Sequence, residues 1–302
     1  MITVTNLQKT FKSYHALKGI KLSVKKGEIY GFIGQNGAGK STTMNILAGL
    51  SRPTAGDCIV NGMDVTAIAH PSDLKIGYLP EDPKFYPWMT AYETLDYLGN
   101  SPAHKVSRSD IEGMLKWVGL TEAARRRVGG FSRGMKQRLG IGAALIHDPE
   151  LVILDEPSSA LDPEGRSDVL RLITDLKQKG KTVFFSTHIL SDVERVCDTV
   201  GIIASGKMIM EKPLAEIVKD NIVPIYDVTI DKPLNTPLLE QLKAVEGVLA
   251  AKPDGDKLSV TLKSADSRRL LRFFADNELF VREFSLRKND LEDIFIKEVN
   301  GK

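Results

Sequence analysis

The stretch that decides the fold is a glycine-rich loop, Gly34-Gln35-Asn36-Gly37-Ala38-Gly39-Lys40-Ser41-Thr42. It fits the pattern G-x-x-x-x-G-K-[ST]. The preceding residues 28–33 (EIYGFI) are typical of a buried strand, and a helix is predicted from Lys40 to about Leu50, where Gly49 and Pro53 end it. In this context the glycines let backbone N–H groups approach phosphate oxygens, and the helix N-terminus favours their negative charge. The loop therefore predicts a binding site for nucleotide phosphates.

After a short strand and turn at 57–62 (DCIVNG), three strands of the core are predicted at 151–154 (LVIL), 182–185 (TVFF) and 199–204 (TVGIIA). These runs are apolar throughout, as in parallel strands that are covered on both faces. By contrast, segments 2–7 and 20–24 alternate, as half-buried strands do. Helical stretches separate the apolar runs, so an α/β core is predicted. The pattern is mainly helical between 88 and 150, which predicts a helical subdomain there.

Two carboxylates, Asp155 and Glu156, follow the run 151–154 directly. This places them at the C-terminal edge of the sheet, where ligands bind in α/β folds. Lys40 is expected to reach the β- and γ-phosphates and the Ser41 hydroxyl to ligate Mg²⁺, with Asp155 holding the metal through water. Glu156 is placed to polarise a water for attack on the γ-phosphate, a general-base role worth about 10²–10⁴-fold. The predicted reaction is hydrolysis of a nucleoside triphosphate.

A third motif, FSRGM at 131–135, opens a predicted helix. Ser132 is a natural N-cap and Gly134 permits close backbone approach, so capping alone would explain the segment. The ordered set of motifs, however, resembles that of ABC transporter ATPases over about residues 1–220. The resemblance identifies 34–42 as Walker A, Glu81 as the Q-loop position, 131–135 as the signature, Asp155 and Glu156 as Walker B, 158–162 (SSALD) as the D-loop and His188 as the switch histidine. It implies a P-loop NTPase fold with ATP and Mg²⁺ as ligands.

The sequence departs from the family pattern at three places. The usual L-S-G-G-Q is FSRGM, the usual Q-loop glutamine is Glu81, and Ala160 stands where glycine is common. A carboxylate at Glu81 can still face Mg²⁺ or its waters, but it cannot donate a hydrogen bond as an amide does. These variants look like the subclass that serves drug, antibiotic, lipid or polysaccharide exporters. The resemblance therefore implies export, with Ser41, Glu81 and Asp155 at the metal.

The resemblance also implies that the signature of one subunit completes the site of another. ATP would lie between Lys40 of one subunit and Ser132 and Gly134 of its partner, so that ATP drives dimerisation. A homodimer is expected, and a heterodimer stays open. His188, 33 residues after Asp155, is implied to contact the γ-phosphate and to help hold the catalytic water.

The aromatic residue that stacks on adenine has two candidates. Phe11 lies 29 residues before Lys40, which matches the family's stacking aromatic. Tyr14 is the competitor, and packing of Phe11 in the core is the alternative. The sequence lacks an N-K-x-D guanine-reading motif, which disfavours a GTPase.

Composition limits the remaining function classes. The chain has 302 residues, with 41 Lys and Arg against 39 Asp and Glu, a net charge of +2 that argues against broad nucleic-acid binding. No apolar run approaches the ~18 residues of a membrane span, and residues 1–12 lack the apolar core of a signal peptide. Two distant cysteines, Cys58 and Cys197, fit a reducing compartment. We expect a cytoplasmic protein, peripheral on the cytoplasmic face of the cell membrane.

Transport then requires a separate transmembrane permease subunit. The best candidate contact for it is the segment 82–90 (DPKFYPWMT), because aromatic residues and methionine are favoured at interfaces. The main alternative is a soluble ABC-type ATPase that is not coupled to transport. ABC ATPases of chromosome maintenance carry a very long coiled coil between Walker A and the signature. Only 92 residues separate Lys40 from Ser132 here, so this class is excluded. The translation-factor class carries two cassettes, and this chain has one.

A second, α+β domain is predicted over 221–302. Strands are expected at 225–231, 248–252, 257–263 and 279–286, and helices at 237–246, 266–277 and 290–299. The order β-α-β-β-α-β is that of ferredoxin-like domains. Similar ATPases often end with such an appendage, for which dimerisation and regulation both stay open.

Overall fold

A computed structural model describes residues 1–101, 104–220 and 224–287. The chain divides into two compact units, Met1–Leu214 and Ala215–Gly301. In the described part of the chain, no helix combines the length and the apolar character that a membrane span requires.

The first unit contains ten strands and six α-helices among its described residues. The strands are β1 (Ile2–Phe11), β2 (Tyr14–Val24), β3 (Ile29–Ile33), β4 (Ala55–Val60), β5 (Met63–Asp64), β6 (Ile76–Leu79), β7 (Leu151–Leu154), β8 (Thr182–Thr187), β9 (Thr199–Ala204) and β10 (Lys207–Pro213). The helices are α1 (Lys40–Leu47), α2 (Ala91–Gly99), α3 (Arg108–Trp117), α4 (Arg133–Leu145), α5 (Pro163–Gln178) and α6 (Leu190–Val196). Strands β2-β1-β4-β5 form an antiparallel sheet.

The central sheet has six strands in the order β10-β9-β3-β8-β7-β6. All neighbours are parallel except the edge strand β10. Every residue of β3, β7 and β8 is buried, which is the covered parallel sheet that the apolar runs predicted. Because parallel strands end at the same edge, the segments after β3, β7 and β8 come together there.

The helical region lies between β6 and β7 in the chain and holds α2, α3 and α4. Two of these helices begin with reciprocal caps, Thr90 with Glu93 and Ser107 with Asp110. Ser132 caps α4 as predicted, because its Oγ accepts from the Met135 N–H at 3.2 Å. Capping therefore fixes where each of these helices starts.

The second unit is a four-stranded sheet with helices in the order that the sequence predicted. Helix α7 (Leu214–Asp220) spans the boundary in the chain between the two units, and the elements that follow it are β11 (Ile225–Ile230), α8 (Thr236–Ala244), β12 (Val248–Asp254), β13 (Lys257–Leu262), α9 (Arg268–Asp276) and β14 (Val281–Leu286). The strands are antiparallel in the order β12-β13-β11-β14, which confirms the ferredoxin-like fold. The helix predicted at 290–299 lies outside the described residues.

Candidate functional site

The glycine-rich loop joins β3 to α1 and has a backbone that requires glycine. Gly37 and Gly39 have φ angles of +81° and +113°. A Cβ on Gly39 would lie 2.8 Å from Leu17 Cδ2, so a side chain would clash there. The Gly206 N–H donates to the Ala38 carbonyl at 2.9 Å and ties the loop to the turn after β9. The backbone of the loop therefore requires glycine at these positions and is fixed against the turn after β9.

Lys40, the first residue of α1, is buried and folds back over this loop. Its Nζ donates to the Gly34 carbonyl at 2.7 Å and to the Gln35 carbonyl at 3.3 Å. The same Nζ lies 3.0 Å from Glu156 Oε1 in a buried ion pair. The ammonium group thus bridges the loop and the carboxylate that follows β7.

Asp155 is buried at the end of β7 and is surrounded by hydrogen-bond donors. Its Oδ1 accepts from Ser186 Oγ at 2.6 Å, and the Ser41 hydroxyl also donates to it. Burial raises the pKa of Asp155 above its ordinary value, and the hydrogen bonds from Ser186 and Ser41 oppose that rise. Ser186 Oγ also accepts from the Glu156 N–H at 2.9 Å, so one hydroxyl of β8 positions both acidic residues.

Glu156 lies between a lysine and a histidine. Its Oε2 is 2.8 Å from His188 Nδ1, while its Oε1 pairs with Lys40. The Glu156 backbone is left-handed, with a φ of +48°. His188 follows β8 directly and keeps 45% of its side chain exposed. The three residues predicted as catalytic, Lys40, Glu156 and His188, therefore meet in the structure.

A cavity of about 470 Å³, called the site cavity below, opens beside these groups. Its lining includes residues of the loop from Asn36 to Thr42, together with Tyr14, Ala16, Glu81, Glu156, Ser159 and His188. Glu81 thus lines the same cavity as Ser41. Ser159 belongs to the segment 158–162 that the resemblance identified as the D-loop, whereas Ser186 was not predicted, because a serine near the end of an apolar strand carries no pattern of its own.

The two candidate aromatics lie opposite each other at the end of the β1–β2 hairpin. Tyr14 lines the site cavity and is 60% exposed. Phe11 is 49% exposed and carries Lys9 Nζ over its ring at 4.9 Å, so it is not packed in the core. Phe11 is absent from the cavity lining, and the geometry favours Tyr14.

Ser132 and Gly134 lie at the start of α4 and are not part of the site cavity. A Cβ built on Gly134 would lie 3.8 Å from Leu161 Cδ2, which places the signature segment beside the D-loop. Ser132 and Gly134 therefore do not line the cavity that Lys40 lines in the same chain.

Comparisons with known proteins assign both units. The family model for ABC transporters matches residues 17–159, and the model for the C-terminal domain of DrrA1-3-like ATP-binding proteins matches residues 219–299. The chain is 37% identical to YxlF, an uncharacterised ABC transporter ATP-binding protein of Bacillus subtilis strain 168, over the whole of both chains. It is also 37% identical to the bacitracin transport ATP-binding protein BcrA of Bacillus licheniformis, over 100% of this chain and 98% of BcrA.

Solved structures agree with these matches. A dimeric ATP-binding cassette in a post-hydrolysis state, bound to ADP and Pi, superposes with a TM-score of 0.65 at 27% identity. That match covers 71% of this chain and 99% of the cassette. The phosphate-binding loop, the paired carboxylates and the whole-length relatives lead to one conclusion: the chain belongs to the ATP-binding proteins of ABC transporters.

Proposed function

We propose that this chain binds and hydrolyses ATP at the site cavity and thereby drives a separate membrane permease, as the ATP-binding subunit of an exporter. The observation that carries the proposal is the meeting of Lys40, Glu156 and His188 beside the glycine-rich loop. Residues 1–220 would form the ATPase and residues 221–302 an accessory domain.

Each group in the site has a role that its position supports. The loop from Gly34 to Thr42 offers backbone N–H groups and the N-terminus of α1 to the phosphates. Lys40 Nζ binds the β- and γ-phosphates in exchange for its contact with Glu156. Glu156 then accepts a proton from the attacking water, and His188, already 2.8 Å from that carboxylate, holds the water and the γ-phosphate in line.

The residues present also fit Mg²⁺. Among the described residues, no group of three or more His, Cys, Asp or Glu side chains could enclose a metal by itself. The Ser41 hydroxyl and the Asp155 carboxylate are nevertheless in direct contact, and Glu81 lines the cavity beside them. Oxygen donors of this kind, completed by phosphate and water, are what Mg²⁺ takes in nucleotide sites. The ion would neutralise charge on the phosphates, held by Ser41, Asp155 and Glu81.

A second cassette would supply the signature. Ser132 and Gly134 lie outside the site cavity of their own chain, and a similar cassette is a dimer in its post-hydrolysis state. ATP would therefore join two copies, bound by Lys40 of one and by Ser132 and Gly134 of the other. A homodimer is the simplest assembly, because one chain carries both halves of the site.

The permease contact is proposed at an exposed group of aromatic residues, the aromatic patch, formed by Tyr86, Trp88 and Tyr97. Their rings lie 5.0 Å (Tyr86–Trp88) and 6.0 Å (Tyr86–Tyr97) apart, and Trp88 is 64% exposed. Aromatic residues are enriched at protein interfaces. The chain would then work at the cytoplasmic face of the cell membrane, where the permease holds it.

Trp88→Ala tests this contact. A loss of about 1 kcal/mol or more in permease binding, with ATPase activity retained, is expected for an exposed aromatic anchor. Leu50→Ala, at another exposed apolar side chain, is the matched control. Co-purification of the tagged chain with its permease measures the effect, and equal recovery of both variants would exclude the aromatic patch as the contact.

Glu156→Gln tests the catalytic assignment. The amide keeps the shape of the side chain but cannot accept the proton, so kcat is expected to fall about 10²–10⁴-fold while ATP binding is retained. The variant should accumulate as an ATP-bound dimer, which size-exclusion chromatography with ATP detects. Glu112→Gln, at an exposed ion pair on α3, is the matched control. Undiminished turnover in Glu156→Gln would remove Glu156 from its role.

A further inference from the structure

A buried carboxylate outside the site cavity joins the two segments that follow Glu156 and His188. Asp192 lies in α6 and has no exposed surface. Its Oδ2 accepts from Ser158 Oγ at 2.5 Å, and its Oδ1 accepts from Arg166 Nε at 2.5 Å. Both carboxylate oxygens are therefore bound by side chains from other parts of the chain.

The position of this contact gives it a bearing on catalysis. Ser158 comes two residues after Glu156, and Asp192 comes four residues after His188. Glu156 and His188 themselves meet at 2.8 Å. The bond from Ser158 to Asp192 is thus a second link between the same two segments, placed just behind the first.

The segment after β7 needs such a link because its backbone is strained. Glu156 and Ala160 both have left-handed φ angles, +48° and +52°. Residues other than glycine hold such angles only where the surrounding structure over-determines them. The hydroxyl of Ser158, itself buried between these two positions, gives the segment a fixed partner.

Arg166 makes the buried charge tolerable. A carboxylate without exposed surface is costly unless it is paired and hydrogen-bonded. Arg166 comes from α5, keeps 29% of its side chain exposed, and also donates from Nη2 to Ser191 Oγ at 2.7 Å. The arginine therefore fastens α5 to α6 through two acceptors, so that the D-loop, α5 and α6 share one anchor.

We propose that Asp192 is a positioning residue: with Ser158 and Arg166 it keeps Glu156 and His188 in register, and so sets the rate of hydrolysis without contributing to ATP affinity. The inference rests on the proposed function, in which Glu156 and His188 act on the water and the γ-phosphate. In the part of the chain that the structure describes, Ser158, Arg166 and Asp192 are all outside the lining of the site cavity.

Ser158→Ala and Asp192→Asn test the proposal in the full chain. Each is expected to lower kcat about tenfold, while the KM for ATP and the Kd of a fluorescent ATP analogue change less than about twofold. Because the two residues act as one link, the double variant should lose no more than the more damaging single variant. Thr174→Val is the matched control, since that hydroxyl on α5 donates to the Leu170 carbonyl of its own helix and, among the described residues, to no other acceptor.

The outcomes separate this proposal from the one it rests on. Wild-type turnover in Ser158→Ala, additive losses in the double variant, or a loss that appears mainly in KM would overturn the positioning role. A loss explained by fewer nucleotide-binding sites per chain would also overturn it, because that result indicates misfolding. Glu156→Gln is measured in parallel: if it keeps full turnover, the proposed function fails, whatever Ser158→Ala does.

Discussion

Gly39→Ala should destabilise the first unit by about 2–5 kcal/mol, the sum of a backbone cost and a steric cost. The φ of Gly39 is +113°, and a left-handed backbone costs an L-residue about 1–2 kcal/mol. The added Cβ would lie 2.8 Å from Leu17 Cδ2 and 3.1 Å from the Ala16 carbonyl oxygen. Overpacking of that kind costs about 1–3 kcal/mol. Since domains are stable by about 5–15 kcal/mol, the variant should still fold.

Substitution of two other glycines measures the backbone cost without the steric cost. Gly37 and Gly27 have φ angles of +81° and +80°, and a Cβ at either position would meet nothing within 4 Å. Gly37→Ala and Gly27→Ala should therefore show only the backbone cost, about 1–2 kcal/mol each. Gly27 lies in the turn before β3, away from the site cavity, so Gly27→Ala should also bind ATP normally.

Urea unfolding followed by tryptophan fluorescence measures these differences. Trp88 and Trp117 are the two tryptophans of the chain, and both belong to the first unit, so the signal reports that unit alone. A loss of about 3 kcal/mol should lower the urea midpoint by about 1 M or more. If the free energies of unfolding of Gly39→Ala and Gly27→Ala differ by less than about 0.5 kcal/mol, the steric argument is wrong. A difference of that size is no more than an ordinary surface substitution produces.

Two further predictions concern the ligand and pH. Tyr14→Ala should weaken binding of a fluorescent ATP analogue by about 1–3 kcal/mol, the contribution of one stacked base. Phe11→Ala should weaken it less, because only Tyr14 of the two lines the site cavity. An equal or larger loss in Phe11→Ala would identify Phe11 as the stacking residue. Because burial raises the pKa of Asp155, its contribution to stability is full below its unfolded pKa of about 4 and is lost as pH rises through the folded pKa. Asp155→Asn should therefore melt at a higher temperature than the wild type at pH 7 and lose that advantage near pH 4, and an advantage that grows toward acid pH would contradict the sign.

The parallel core could be predicted because strands that are buried on both faces consist of consecutive apolar residues. The runs 151–154 and 199–204 match β7 and β9 residue for residue. Strand β6 (Ile76–Leu79) was not predicted: it has four residues, one of them a glycine, and it is defined by its pairing with β7. Strand β1 runs to Phe11 rather than ending at Leu7, since register shifts along its pairing with β2 break the alternation that marks a half-buried strand.

Some residues of the candidate site could be predicted from the sequence and others could not. The loop, Asp155 and Glu156 were predicted because their chemistry depends on local spacing. The adenine aromatic was left open between Phe11 and Tyr14, since residues that pair across a hairpin end differ little in spacing from Lys40. Asp192 carried no signal at all, because its partners come from segments 26 and 34 residues away.

The left-handed conformation of Glu156 shows why the site depends on strand order. No local preference favours a φ of +48° at a glutamate, and such a backbone costs about 1–3 kcal/mol. The contacts that hold it come from two other elements: its N–H donates to Ser186 of β8, and its carboxylate pairs with Lys40 of α1, which follows β3. Strand β8 lies between β3 and β7, so both contacts reach Glu156 only in the order β3-β8-β7. The geometry of the Glu156 carboxylate, the proposed catalytic group, therefore depends on the order of these three strands.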